Sequence, residues 1–294
     1  MYDFIGDYLK KTVVSPGSAT IINAISTGFG SAFGIDLNIK ASVCENKKDK
    51  IISKSDIGAD TKLMDMCADA ILKHYNVDCP LTIETETNLP MGSGLSSSSA
   101  LSNAVCKGVS SYIADEFDFK PLDDLEVLNL AIDTSLDAKV TITGAYDDAS
   151  ASFFGGVVVT DNYNRKILLK EKFNESDILI FLVDKDSLTI DVDVKRTSLI
   201  SSMVDLAFKQ ALDKNYFNAL NLNGILYSSV LGYDSNIALE ALSAGALASG
   251  LSGTGSAFTA IVDDQSIDQV KDAWSQFEGK IIQTHVNNQG TILL

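Results

Sequence analysis

Asn88-Leu-Pro-Met-Gly-Ser-Gly-Leu-Ser-Ser-Ser-Ser-Ala-Leu-Ser102 joins two segments of opposite periodicity. Before it, Leu81-Thr-Ile-Glu-Thr-Glu-Thr87 alternates with period two, as a half-buried strand does. After it, Leu101, Val105, Val109 and Tyr112 recur at spacings of three and four, which predicts a helix over about 98–114. The stretch is therefore a strand, a Gly/Ser loop and a helix start. Glycines 92 and 94 let the backbone come close to a ligand, and consecutive amides at a helix N-terminus aim donors and the positive dipole end at one point. Such a loop binds phosphate without a basic side chain, and its serine hydroxyls can add donors or a neutral magnesium ligand. The alternative is a linker ending in a serine cap; its place between a clear strand and a clear amphipathic helix argues against that. No GxxxxGK[ST] sequence occurs, and Gly92-Ser-Gly94 followed by Ser97 only half-matches GxGxxG, so neither the P-loop nor a dinucleotide fold is supported.

Working outward, 62–75 has a helical pattern with Leu63, Met66, Ala70 and Ile71 on one face. The run Gly156-Val-Val-Val-Thr160 gives way to the turn-rich Asp161-Asn-Tyr-Asn164, where a change of domain is expected, giving units 1–160 and 161–294. Beyond it the pattern predicts a strand over 178–183, helices over 194–212, 216–229 and 237–247, a strand over 257–262, a helix over 267–277 and a strand over 280–284. Strands separated by helices of this length imply an α/β sandwich with helices on one face of a small sheet.

Among 294 residues, 23 Lys and Arg oppose 39 Asp and Glu, a formal net charge of −16, and the only arginines are Arg165 and Arg196. That balance excludes a surface tracking nucleic acid or an anionic membrane, both of which need a clustered basic footprint. The first eleven residues carry Asp3 and Asp7 and do not read as a secretory signal, and the most apolar stretch, 178–183, is far shorter than a membrane span. Cys44, Cys67, Cys79 and Cys106 form no CxxC pair and His74 and His285 no metal spacing, so reduced thiols and a cytoplasmic location are expected.

Pro90, Met91, Gly92, Ser93, Gly94, Leu95, Ser96, Ser97, Ser98, Ser99 and Ala100 together resemble the PxxxGLxSSxA phosphate-binding motif of the GHMP kinases, the superfamily of galactokinase, homoserine kinase and mevalonate kinase. Leu251-Ser-Gly-Thr-Gly-Ser-Ala257 is similar to its C-terminal glycine motif, and 147–156 resembles the segment bearing its active-site acid. Within the superfamily, 16–28, Gly34-Ile-Asp-Leu37 and Thr143-Gly-Ala-Tyr-Asp-Asp-Ala149 look most like the archaeal shikimate kinases. The resemblance spans about 16–262. It implies an α+β fold of two α/β-sandwich domains, the first ribosomal-protein-like and the second ferredoxin-like.

It also implies ATP-dependent phosphorylation of the shikimate 3-hydroxyl, with ATP and Mg2+ as cofactors and a homodimer as the assembly left open. Another superfamily kinase, for homoserine, mevalonate or pantoate, and a non-catalytic nucleotide binder are the alternatives. Ser98 falls on the serine that binds magnesium. Asp147 and Asp148 are candidates for activating the hydroxyl, and Asp147 fits better by its distance to Gly155-Gly156; a turn or cap is the competing reading of an aspartate pair. For the substrate, Asn23, Thr27 and Asp36 could read hydroxyls, Thr141, Thr143 and Tyr146 flank the acid, and Gly253, Thr254 and Gly255 belong to the glycine motif. Arg196 is the candidate for a carboxylate, with a solvated helix face as the equal alternative. Two departures stand out: Phe29 occupies a place where lysine is expected, and Leu136, with Asp133 and Asp137 nearby, occupies that of a second acidic metal ligand.

Overall fold

The computed structural model describes residues 9–141, 143–184 and 194–294. It opens on a long antiparallel hairpin, β1 (Lys10–Ile22) and β2 (Phe29–Glu45). From Ser15 onward β1 is buried on both faces, which is why its sequence lacks the alternation that marks a half-buried strand. β2 is long enough to serve two partners. Its first half pairs with β5 (Val157–Asp161) and its second with β4 (Leu81–Thr87). β3 (Ile52–Ser55) runs parallel to β4, β6 (Lys166–Glu171) pairs with β5, and β11 (Ile292–Leu293) returns to β1, making seven strands. In the second half of β2, Asn38, Lys40 and Ser42 stay partly exposed while Leu37, Ile39, Ala41 and Val43 face inward. α2 (Ser97–Glu116) and α4 (Tyr146–Phe154) pack against β1 and β2, α1 (Lys62–Tyr75) lies on α2 and touches β3, and α3 (Asp124–Asp137) packs on the other helices.

The second sheet is built from β7 (Asp177–Val183), β8 (Ala248–Leu251), β9 (Ala257–Val262) and β10 (Gly279–His285), in the order β10-β7-β9-β8 with every pair antiparallel. α5 (Val194–Thr197), α6 (Ser201–Leu212) and α7 (Tyr216–Leu231) follow β7, then α8 (Asn236–Ser243), and α9 (Ile267–Trp274) precedes β10. Reduced to its sheet, this is the β-α-β-β-α-β path of a ferredoxin-like unit. Trp274 anchors it, fully buried, with its indole N–H donating to the Ile237 carbonyl at 2.8 Å.

Two expectations change. The turn at 161–164 closes the β5–β6 hairpin inside the first sheet, so a division at 160/161 would cut paired strands; the chain passes to the second sheet between Glu171 and Asp177. The helix expected over 194–212 is interrupted by a 3-10 turn, Ser198–Ile200, where Ser198 donates to the Lys195 carbonyl and Ser201 to the Ser198 carbonyl at 3.0 Å. Such serine bonds offer the backbone a local alternative to a continuous helix. All four cysteines are free, and no helix among the described residues is long and apolar enough to cross a membrane.

Candidate active site

Two glycine loops, one from each sheet, meet backbone to backbone. A Cβ on Gly94 would lie 2.2 Å from the Ser252 carbonyl oxygen, and one on Gly255 would lie 2.2 Å from the Ser93 carbonyl carbon. Bonds at the contact hold the loops together: Ala257 N–H donates to Ser93 O at 2.9 Å, and the Ser252 hydroxyl donates to Gly94 O at 2.8 Å. β1 joins them, because Thr20 N–H donates to the Ser252 hydroxyl and Gly253 N–H to the Thr20 hydroxyl. The backbone approach expected for Gly94 is real, but its partner is the second loop as well as the cleft. Gly92, with nothing within 4 Å of where its Cβ would be, opens on the cleft alone.

Ser96, with a left-handed φ of 62°, turns the chain into α2. No side chain caps that helix and its first turn holds no acid, so the amides and dipole of a 20-residue helix face the cleft without a cap of their own. Ser96, Ser97, Ser98 and Ser99 all line it. The other motif residues support from behind. Leu95 and Ala100 are fully buried core, Ser93 donates to the Pro90 carbonyl, and Met91 is exposed.

The aspartates enter from α4, whose N-cap Ala145 is also left-handed. Consecutive first-turn residues diverge, and these two reach different partners. Asp147, 3% exposed, accepts from the Asn162 amide at 2.8 Å. Its Oδ2 occupies the space that a side chain on residue 30 would fill; a Cβ on Gly30 would come within 2.3 Å of it. Asp148 turns to β1 and accepts from the Ser18 and Thr20 hydroxyls, each at 3.3 Å, while Ser18 and Ser96 share a 2.6 Å bond. Burial raises the Asp147 pKa, opposed by the Asn162 bond. Asp148 is pushed well above the usual carboxylate range by burial and by its charged neighbour, against the bonds from Ser96, Ser18 and Thr20.

The cleft brings together Asp147, Asp148, Asn23, Thr141, Thr143, Gly253 and Thr254 with the phosphate-type loop. It does not bring in Asp36, Thr27, Tyr146, Arg196 or Gly255. Strand alternation sends the exposed Asp36 to the outer face of β2, where it borders a separate groove with Asp177 and His285. The Thr27 hydroxyl bonds to the backbone of Phe29, closing the β1–β2 turn. Tyr146 is packed in the core, Arg196 is exposed on α5, and Gly255 is spent on the loop contact. Asn23 lines the cleft with its amide committed, donating to Gly253 O and accepting from Ile25 N–H. Phe29 packs on Phe208 of α6, with ring centroids 5.0 Å apart, and Asp133 pairs with Arg165; neither lines the cleft.

Among the described lining residues there is no Lys, Arg or His. Sequence reasoning missed Ser18, Thr20, Ser252 and Asn162. The first three lie inside quoted motifs, where hydroxyls amid buried strand residues were the available signal; Asn162 was absorbed into a turn.

Residues 62–156 match the GHMP kinases N terminal domain and residues 206–280 the GHMP kinases C terminal domain. The chain is 55% identical to a shikimate kinase of Methanobrevibacter smithii, over 96% of this chain and 98% of that protein. It is 51% identical to a shikimate kinase of Methanothermobacter thermautotrophicus, over 97% and 99%. Among solved structures it is similar to Methanococcus jannaschii mevalonate kinase, with a TM-score of 0.78 at 16% identity over 96% and 99% of the two chains. Lactococcus lactis galactokinase complexed with galactose gives 0.74 at 16% identity over 97% and 95%. At such identities the structural likeness speaks for the fold.

Proposed function

The chain belongs to the GHMP kinase family, and from that membership we propose that it transfers the γ-phosphoryl group of ATP to the 3-hydroxyl of shikimate. The observation that carries the substrate is identity of 51% and 55%, over nearly the whole chain, with proteins named shikimate kinase. The geometry supports the chemistry. The triphosphate lies over Gly92 and the N-terminus of α2, where free amides and the hydroxyls of Ser96 to Ser99 take the place of basic side chains. The shikimate hydroxyl oxygen attacks the γ-phosphorus, the bond from phosphorus to the β–γ bridging oxygen breaks, and ADP leaves. Asp147 orients the hydroxyl and accepts its proton; a loose phosphoryl transfer asks chiefly for this positioning. Asp148 braces β1 against the phosphate loop through Ser18, Thr20 and Ser96.

Magnesium fits this site as an ion carried by the phosphates. The Ser98 hydroxyl offers one neutral oxygen, and no group of three His, Cys, Asp or Glu among the described residues forms a cage. Ser98 would share such an ion with the phosphate oxygens and water, and the ion would supply neutralisation of the charge developing on the transferred group. The substrate carboxylate is met by hydroxyls and amides, with Thr141, Thr143 and Thr254 as the candidates.

A coupled ADP-release assay with ATP, Mg2+ and a panel of shikimate, homoserine, mevalonate and pantoate tests the substrate. Turnover of shikimate alone is expected, and turnover of another acceptor with none of shikimate would sink the reading. Asp147→Asn is expected to lower kcat by about 100-fold or more, in the range general-base removal gives, while ATP still binds.

A further inference from the structure

We propose that Asn162 is the positioning residue for Asp147, turning its carboxylate toward the cleft from the β5–β6 hairpin. This rests on the reading of Asp147 as the proton acceptor. Asn162 is 7% exposed, and a buried amide has to spend its groups on protein partners. Its backbone N–H donates to Gly28 O at 2.8 Å, which ties the hairpin turn to the β1–β2 turn. Its Oδ1 accepts from the Thr160 hydroxyl at 2.7 Å, and its Nδ2 donates to Asp147 Oδ1 at 2.8 Å.

The amide has one workable orientation. A carboxylate only accepts, so a flipped side chain would set oxygen against oxygen. Thr160, whose hydroxyl also reaches Gly30 O at 3.3 Å, holds the other end. The carboxylate is thus gripped between the Asn162 amide and the bare backbone of Gly30, where a Cβ would come within 2.3 Å of Oδ2. The turn itself does not need this side chain. Asp161 closes it, accepting from Asn164 N–H at 3.0 Å and from the Asn164 amide at 2.8 Å.

The other titratable groups around Asp147 are Asp148, beside it on α4, and Tyr227 on α7, whose hydroxyl lies within hydrogen-bond distance of Asn23 O and Ser26 Oγ. A hydrogen bond donated to the ionised form favours that form, so its loss makes Asp147 harder to ionise in a buried site. A residue that only stabilised the hairpin would leave the pH profile of turnover where it was.

The experiment is the pH dependence of kcat, with KM for ATP and shikimate and a melting curve, for wild type, Asn162→Leu, Thr160→Val and Asp147→Asn. For Asn162→Leu, the acid limb is expected to move up by about one pH unit, with kcat lowered about tenfold on the limb, the size a charge-assisted bond implies. Both KM values should stay within about threefold, because the amide touches neither substrate. Thr160→Val, which keeps the strand and removes only the orienting hydroxyl, should shift the limb the same way by less, and it decides alone if Asn162→Leu does not fold. An unmoved acid limb in the folded variants overturns the proposal, even if kcat falls. Asp147→Asn should abolish the limb; if it keeps the wild-type limb and rate, the Asp147 assignment fails, a result distinct from an unmoved limb in Asn162→Leu.

Discussion

Gly94→Ala and Gly92→Ala form a matched pair that isolates the loop-on-loop contact. Both glycines have positive φ, 87° and 68°, so alanine at either place bears a left-handed backbone cost of about 1–2 kcal/mol. Only Gly94 has a neighbour to strike. Its new methyl would sit 2.2 Å from Ser252 O and 2.9 Å from Gly255 N, and both obstacles are backbone that cannot swing aside. Relieving the collision means parting the loops, which costs about 1–3 kcal/mol by analogy with overpacked cores. It also strains the bonds from Ala257 N–H to Ser93 O and from Ser252 Oγ to Gly94 O. Gly94→Ala should therefore lose about 2–5 kcal/mol and Gly92→Ala about 1–2 kcal/mol in urea unfolding. The difference between them is the collision alone. Equal losses in the two variants would refute the packing of one loop on the other, whatever their absolute size.

The aspartate pair makes a prediction in which stability and activity move apart. Both carboxylates have folded-state pKa values raised above the ordinary range, so the folded protein binds protons that the unfolded chain releases, and stability falls as pH rises through that window. Asp148→Asn should therefore unfold at higher urea than wild type at pH 7, by about 1.4 kcal/mol for each pKa unit relieved, while turnover drops; a destabilised Asp148→Asn would mean its bonds to Ser18 and Thr20 outweigh its desolvation. Turnover of the wild type should fall on acidification along a limb lying above the usual carboxylate range, and a limb at the value of a solvated aspartate would contradict the burial of Asp147. Ser98→Ala should raise the half-saturating Mg2+ several-fold with the shikimate KM little changed; an unaltered magnesium dependence removes Ser98 from the metal. Asp36→Asn should leave the shikimate KM within about twofold, since the outer face of β2 does not reach the cleft, and a large rise would return Asp36 to the site.

Legibility in the sequence followed burial. β4 shows one face to the core and its alternation reads cleanly, and α1 keeps helical spacing because Leu63, Cys67 and Ile71 are buried on one side, whereas α2 is buried nearly all round, between the sheet and the other helices. β1 is enclosed on both sides, and its Ser-Pro-Gly-Ser-Ala-Thr run carries no periodic signal. The helix over 194–212 has continuous apolar spacing, yet Ser198 and Ser201 divert the backbone locally. In the site, residues belonging to contiguous motifs could be found, because a loop that feeds amides to one point is local in sequence. The partners of the acids could not. Ser18 and Thr20 meet Asp148 across about 130 residues of chain, and Asn162 meets Asp147 through a hairpin that reads as a polar linker. Asp36 shows the opposite case: it stands inside a matched motif, but parity along β2 turns it outward, away from the cleft.

The net charge of −16 bears less on this site than the two charges inside it. At physiological ionic strength exposed charges are screened beyond roughly 8 Å, so the acidic surface acts weakly on a bound nucleotide. Asp147 is buried and Asp148 partly buried beside the loop proposed to receive the phosphates, and no Lys, Arg or His among the described lining residues offsets them. The dipole of α2 contributes about half an elementary charge at its N-terminus, less than one ionised carboxylate. On the proposed reading two things would restore the balance: desolvation, which favours a proton on the pair, and a divalent ion carried by the triphosphate. The aspartates can then ionise where the reaction needs a proton acceptor. On this account nucleotide affinity without Mg2+ should strengthen as pH is lowered through the titration of the pair, because each added proton removes a repulsion from the cleft.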